Sequence, residues 1–186
     1  LTEPIILNGF DWIRLIEPER FARMNARQAI EINLNLSEYI ALGYLKDLTP
    51  PDLLHRPAAN ANHILWQLGH LIRSEHQIME QVFPGSMPSL PEGFSDRYSS
   101  ATADSDQPAA FDSLDVLLAL FREQRQGTLS KLHEVTDDQL DQATPESIRS
   151  YAPTVAAAFS MQGTHWVMHA GQWAVIRRQL GLPPLY

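Results

Sequence analysis

The sequence predicts an all-α fold, a bundle of four helices. Three observations carry that reading: four stretches repeat apolar residues at helical spacing, Pro and Gly punctuate their ends, and none sustains the alternation of a half-buried strand. With 186 residues and 44% hydrophobic side chains, the chain can bury a sizeable core as a single domain over 1–186.

Residues 1–17 lack a sustained period and read as an N-terminal arm that docks through Phe10 and Trp12. Pro18 suits a first helical turn, and Phe21, Met24, Ala29, Ile32, Leu36, Tyr39, Ile40 and Gly43 continue the pattern to about Lys46. Ile32, Leu34 and Leu36 alternate as a strand would, yet no breaker stands between Pro18 and Thr49, which favours helix. Pro50 and Pro51 end it. A second helix is expected from about Asn62 to Phe83, stopped by Pro84 and Gly85. Residues 84–111 then form a long loop between helices two and three. Its first part, 84–108, holds four prolines and six serines, and Phe94 and Tyr98 within it favour a packed lid over disorder. Asp112 is placed to cap a third helix that carries Leu114, Leu117, Leu118, Phe121, Leu129 and Leu132 and fades near Val135. After a polar connection containing Pro145 and Pro153, Thr154 caps a fourth helix, about 40 Å long, that stops before Gly181.

Lys plus Arg number 14 against 22 for Asp plus Glu, a net charge of -8 that disfavours nucleic acid and anionic membrane as partners. The absence of cysteine excludes disulfides, zinc ribbons, iron–sulfur clusters and a Cys nucleophile, so any thiol chemistry needs a thiol from outside. No apolar run approaches the roughly 20 residues of a membrane-spanning helix. The expected setting is the cytoplasm, and the expected partner a small molecule.

His165 and His169 form the one i, i+4 histidine pair. On the fourth helix their face also carries Val155, Ala158, Gln162, Trp166, Gln172, Trp173, Ile176 and Leu180, so the pair points into the bundle, whereas Arg177 and Arg178 fall outside the stripe as solvated charges. Two imidazoles one turn apart can converge on one cation. The alternative is a pair of core histidines bonded to Gln162, Gln172 or backbone. A metal needs a third ligand, and the second helix offers His63, His70 and His76. His63 and His70 lie two turns apart, about 10.5 Å along the axis, too far for both to serve one ion. His70 shares a polar stripe with His63, Ser74, Gln77 and Gln81, the composition of a wet cavity wall or of an ordinary exposed face; His76 flanks the apolar arc and is the weaker candidate. Arg73 and Glu75 near His70, with Arg122 and Arg125 on the third helix, read first as exposed charges and second as substrate-facing groups. The missing Glu-x-x-His and HExxH patterns argue against a di-iron carboxylate bundle and a zincin protease. Dinucleotide, P-loop and hydrolase-elbow signatures are missing too.

Trp66-Gln67-Leu68-Gly69-His70-Leu71, followed on the last helix by His165-Trp166-Val167-Met168-His169-Ala170-Gly171-Gln172 and Arg177-Arg178-Gln179-Leu180-Gly181, resembles the DinB/YfiT-like superfamily. The resemblance implies a four-helix bundle of DinB-like type and a metal triad of His70, His165 and His169. It implies a divalent ion (zinc, nickel or iron) with coordination positions left open. Gln162 and Gln172 read either as residues that orient the ligands or as core glutamines making ordinary hydrogen bonds. By the same resemblance the activity is that of a transferase using a low-molecular-weight thiol cosubstrate, with a metal-dependent hydrolase using metal-bound water, or a non-catalytic metal- or ligand-binding bundle, as alternatives. A homodimer paired through helix faces is the implied assembly.

Overall fold

Four long helices dominate the computed structural model, which describes residues 24–185: α1 (Ala26–Leu45), α2 (Ile64–Val82), α3 (Leu114–Glu134) and α4 (Val155–Gln179). Each starts where a side chain can take up a free backbone N–H. Asn25 opens α1 with a reciprocal capping box to Gln28, so the helix begins at Ala26 rather than at Pro18; the expected arm and the first turns from Pro18 lie outside the described residues. Ser113, not Asp112, caps α3, because Asp112 is engaged by Arg97 and Tyr98. Thr154 caps α4 as expected. Among the described residues there is no strand, only an isolated bridge between Ala143 and Thr154, and no helix is long and apolar enough to cross a membrane.

α1 packs mainly along α4, and α2 lies against both α3 and α4. Gly163 permits the first of these contacts. A Cβ there would come within 2.6 Å of Asn33 Nδ2 and 3.0 Å of the Asn33 carbonyl, so a larger residue would push the helices apart. Trp166 and Trp173 of α4 fill the centre with Phe121 of α3, whose ring lies 4.2 Å from that of Trp166.

The segment between α2 and α3 is a built structure rather than a free loop. It contains a helical turn at Phe94–Arg97 and two 3-10 turns, and Phe94 and Tyr98 are fully buried. Tyr98 seats against Gly69 of α2, where a Cβ would come within 2.1 Å of the phenol ring. Its hydroxyl donates to Asp112 Oδ2 (3.0 Å) and accepts from the Asp112 N–H (2.9 Å), and Arg97 grips both Asp112 oxygens at 2.8 and 2.7 Å. The connection between α3 and α4 likewise forms two short helical turns, Asp137–Leu140 and Glu146–Arg149.

Three charges expected on exposed faces are buried. Glu75 (1% exposed) and Arg125 (2%) pair across α2 and α3 at 2.9 Å, with Thr128 Oγ1 donating to the second Glu75 oxygen at 2.7 Å and Arg125 reaching the Leu34 carbonyl at 3.2 Å. Arg177 (3%) reaches across to the carbonyls of Tyr44 and Lys46 and so satisfies the open end of α1. Arg178 and Arg122 are exposed, as read from the sequence.

Candidate metal centre

The close packing of α2 against α4 brings His70 to the His165–His169 pair. One nitrogen from each of the three rings lies within 4.8 Å of the others. Ring centroids are separated by 5.0 Å for His165–His169, 5.2 Å for His70–His165 and 5.6 Å for His70–His169. His70 and His165 are half-buried, and His169 is 8% exposed. Among the described residues no further histidine or carboxylate joins this group.

The ring orientations have identifiable causes. Trp66, one turn before His70, stacks on it nearly parallel, 5.0 Å between centroids and 6° between planes. The Trp66 indole N–H is in turn directed at the Ser99 carbonyl (3.2 Å) and Thr102 Oγ1 (3.1 Å), so the α2–α3 segment helps set the plate on which His70 rests. His169 is held by Gln67. The indole N–H of Trp173 can only donate, and it donates to Gln67 Oε1 at 2.8 Å, which fixes the orientation of the amide. The same oxygen lies 2.9 Å from His169 Nδ1, so Nδ1 carries the proton and Nε2 keeps its lone pair for a ligand. The Gln67 amide nitrogen donates to Gln172 Oε1 at 3.1 Å and to the Asn62 carbonyl, completing the chain.

Electrostatics keep the rings neutral, the form that binds metal. Burial, reinforced by His165 and Arg73, holds His70 down at about 4. Burial and the neighbouring His165 and His70 hold His169 at about 3, and burial lowers His165.

The other sequence candidates separate cleanly. His63 is fully buried and caps α2: its Nδ1 accepts from the Trp66 N–H and its Nε2 donates to the Ser105 carbonyl at 3.1 Å. Burial lowers its pKa as well. His76 bonds to Gln124 at 3.1 Å and lines a cavity of about 550 Å³ with Glu80, Phe94 and Asp96; none of the three clustered histidines lines it. Gln172 accepts from Gln67, which in turn holds His169, and Gln162 donates to its own helix at Ala158. Gln67 was not singled out from sequence, although it sits three residues before His70, one helical turn away.

Comparison with curated proteins and with solved structures gives no match. A family model described as the DinB superfamily matches residues 33–173, a span that holds all three histidines, Gln67 and parts or all of the four long helices. With the helical architecture and the three-histidine cluster that could hold a metal ion, this match places the chain in the DinB superfamily.

Proposed function

We propose that the protein is a metal-dependent enzyme in which His70, His165 and His169 hold one divalent ion (zinc, nickel or iron), and that it transfers a low-molecular-weight thiol to an electrophile. The observation that carries this reading is the three-imidazole cluster, with its nitrogens inside 4.8 Å and the His169 tautomer set by Gln67. The donor set fits such an ion: three neutral nitrogens, two on half-buried rings, leave room for an exchangeable ligand. A divalent ion bound there supplies a Lewis acid that favours the thiolate form of a sulfur ligand at neutral pH. The chain's own residues orient the site. Gln67 aims His169, Trp66 supports His70, and the docked Phe94–Tyr98 turn shields the flank of α2 from water. Because the chain has no cysteine, the sulfur comes from a cosubstrate, and a cytoplasmic setting, where small thiols stay reduced, suits it.

The test is elemental analysis of untagged protein purified without chelator or nickel resin, beside His70→Ala, His165→Ala and His169→Ala. About one equivalent of a divalent metal, lost in each variant, is expected. Stoichiometric metal in folded His169→Ala would overturn the ligand assignment. Mass spectrometry of thiol–electrophile mixtures then reads transfer directly, and turnover without any thiol would instead assign hydrolysis.

A further inference from the structure

We propose that Arg73 is the anion-binding group of this site and that its substrate carries an oxyanion, a carboxylate or phosphate, beside the three histidines. The proposal rests on the metal-site reading only for where the anion lies.

Arg73 differs from the other shielded arginines of the described residues. Arg27, Arg56, Arg97, Arg125 and Arg177 each donate to a carbonyl or a carboxylate, as does the exposed Arg149. Arg122 and Arg178 are exposed and solvated. Arg73 is half-buried, its Nε, like those of Arg27, Arg125 and Arg177, is shielded from solvent without a hydrogen-bond partner, and among the described residues no acceptor or carboxylate pairs with the rest of its guanidinium either. A shielded Nε–H with nothing to donate to is costly, and an acceptor arriving with a ligand removes that cost.

Position points the same way. Arg73 follows His70 by three residues, so the two side chains are neighbours on one face of α2. Its charge is felt at the His70 ring, where it opposes protonation. The chain as a whole carries a net charge of -8 and repels anions, so an anionic substrate needs a local cation. The planar fork of a guanidinium matches the two oxygens of a carboxylate or phosphate.

The experiment uses three probes: mercaptoacetate, which carries thiol and carboxylate, 2-mercaptoethanol, which lacks the carboxylate, and inorganic phosphate. The Arg Nε–H signals of 15N-labelled protein are followed by NMR in metal-loaded and chelator-treated samples, with Arg73→Gln identifying the Arg73 signal, and affinities are measured by calorimetry. Mercaptoacetate is expected to bind the loaded protein about tenfold more tightly than 2-mercaptoethanol. That ratio should fall towards one in Arg73→Gln and be largely kept in Arg73→Lys. Phosphate should compete with mercaptoacetate, and both should move the Arg73 signal in the chelated protein. A preference unchanged in Arg73→Gln, or a signal that none of the probes moves, overturns the proposal. Metal content measured on the same samples keeps the readings apart: metal present with a silent Arg73 sinks only the anion site, and metal absent with a responsive Arg73 sinks only the metal site. Should Arg73→Gln fail to fold, the Lys variant and the native signal still decide.

Discussion

A single amide oxygen, Gln67 Oε1, receives both the Trp173 and the His169 N–H groups, and that sharing makes Gln67 the residue on which the candidate ligand geometry turns. Gln67→Ala is expected to weaken metal binding 10–100-fold by calorimetry, with about 1–3 kcal/mol lost in denaturant unfolding from the orphaned Trp173 N–H. Unchanged metal affinity in the folded variant would remove Gln67 from the site. The depressed histidines also fix the sign of a pH effect. Unfolded, His63, His70, His165 and His169 return to about 6.5 and take up protons that the folded chain refuses, so stability is fully present above that value and falls as pH drops towards about 4 and about 3. In metal-free protein the thermal midpoint should therefore fall progressively below pH 6.5, and less steeply in His70→Ala; a midpoint indifferent to pH between 7 and 4 would contradict the burial described. The sequence made His165 and His169 legible because their spacing is local, and His70 only through the family resemblance. Gln67 was not legible because its partners lie 102 and 106 residues away. Glu75 and Arg125 could have been read: each sits four residues from an apolar core position on both sides, Leu71 and Met79 for the first, Phe121 and Leu129 for the second.

Among the elements, the segment between α2 and α3 departs most from its sequence reading. Proline and serine content indicates irregular backbone and says nothing of tertiary anchoring, which here comes from Tyr98 on Gly69, Arg97 on Asp112 and Trp66 on Ser99. Phe94 and Tyr98 were the residues that hinted at packing, and both are fully buried. Gly69→Ala tests the anchoring. The added methyl would overlap the Tyr98 ring, and overpacking of this kind costs about 1–3 kcal/mol. Since Trp66 joins this segment to His70, the same variant should also weaken metal binding by calorimetry, while Gly171→Ala, where a Cβ meets nothing within 4 Å, serves as the control. Equal behaviour of the two variants would show that the segment does not bear on the site. The four long helices themselves were legible to within a few residues at the ends of α2, α3 and α4, because caps and breakers are local signals. The start of α1 was not, because no breaker stands between Pro18 and Thr49, whereas the helix that runs to Leu45 opens at the Asn25 capping box.

At the scale of the whole molecule, the buried Glu75–Arg125 pair ties α2 to α3 and, through the Leu34 carbonyl, to α1. Removing one charge should leave the other uncompensated: Glu75→Ala is expected to cost about 3–5 kcal/mol in urea unfolding, and replacing both partners by apolar residues of similar volume should recover much of it. A loss below about 1 kcal/mol in Glu75→Ala would mean that the pair is open to water. Of the four long helices, the one that packs most closely on α1 is synthesised after the other three. Asn33 finds Ser160 across 127 residues, and Arg177 closes the end of α1 across 131 to 133. Loop-closure entropy sets against such contacts until the intervening chain has condensed. On the ribosome, α2 and α3 can pair as soon as both have emerged and can hold α1 near Leu34, while most of the inward face of α1 waits until α4 follows. Assembly of the bundle and assembly of the histidine cluster are then one late event, because the helix that completes the first also brings two of the three imidazoles to the second.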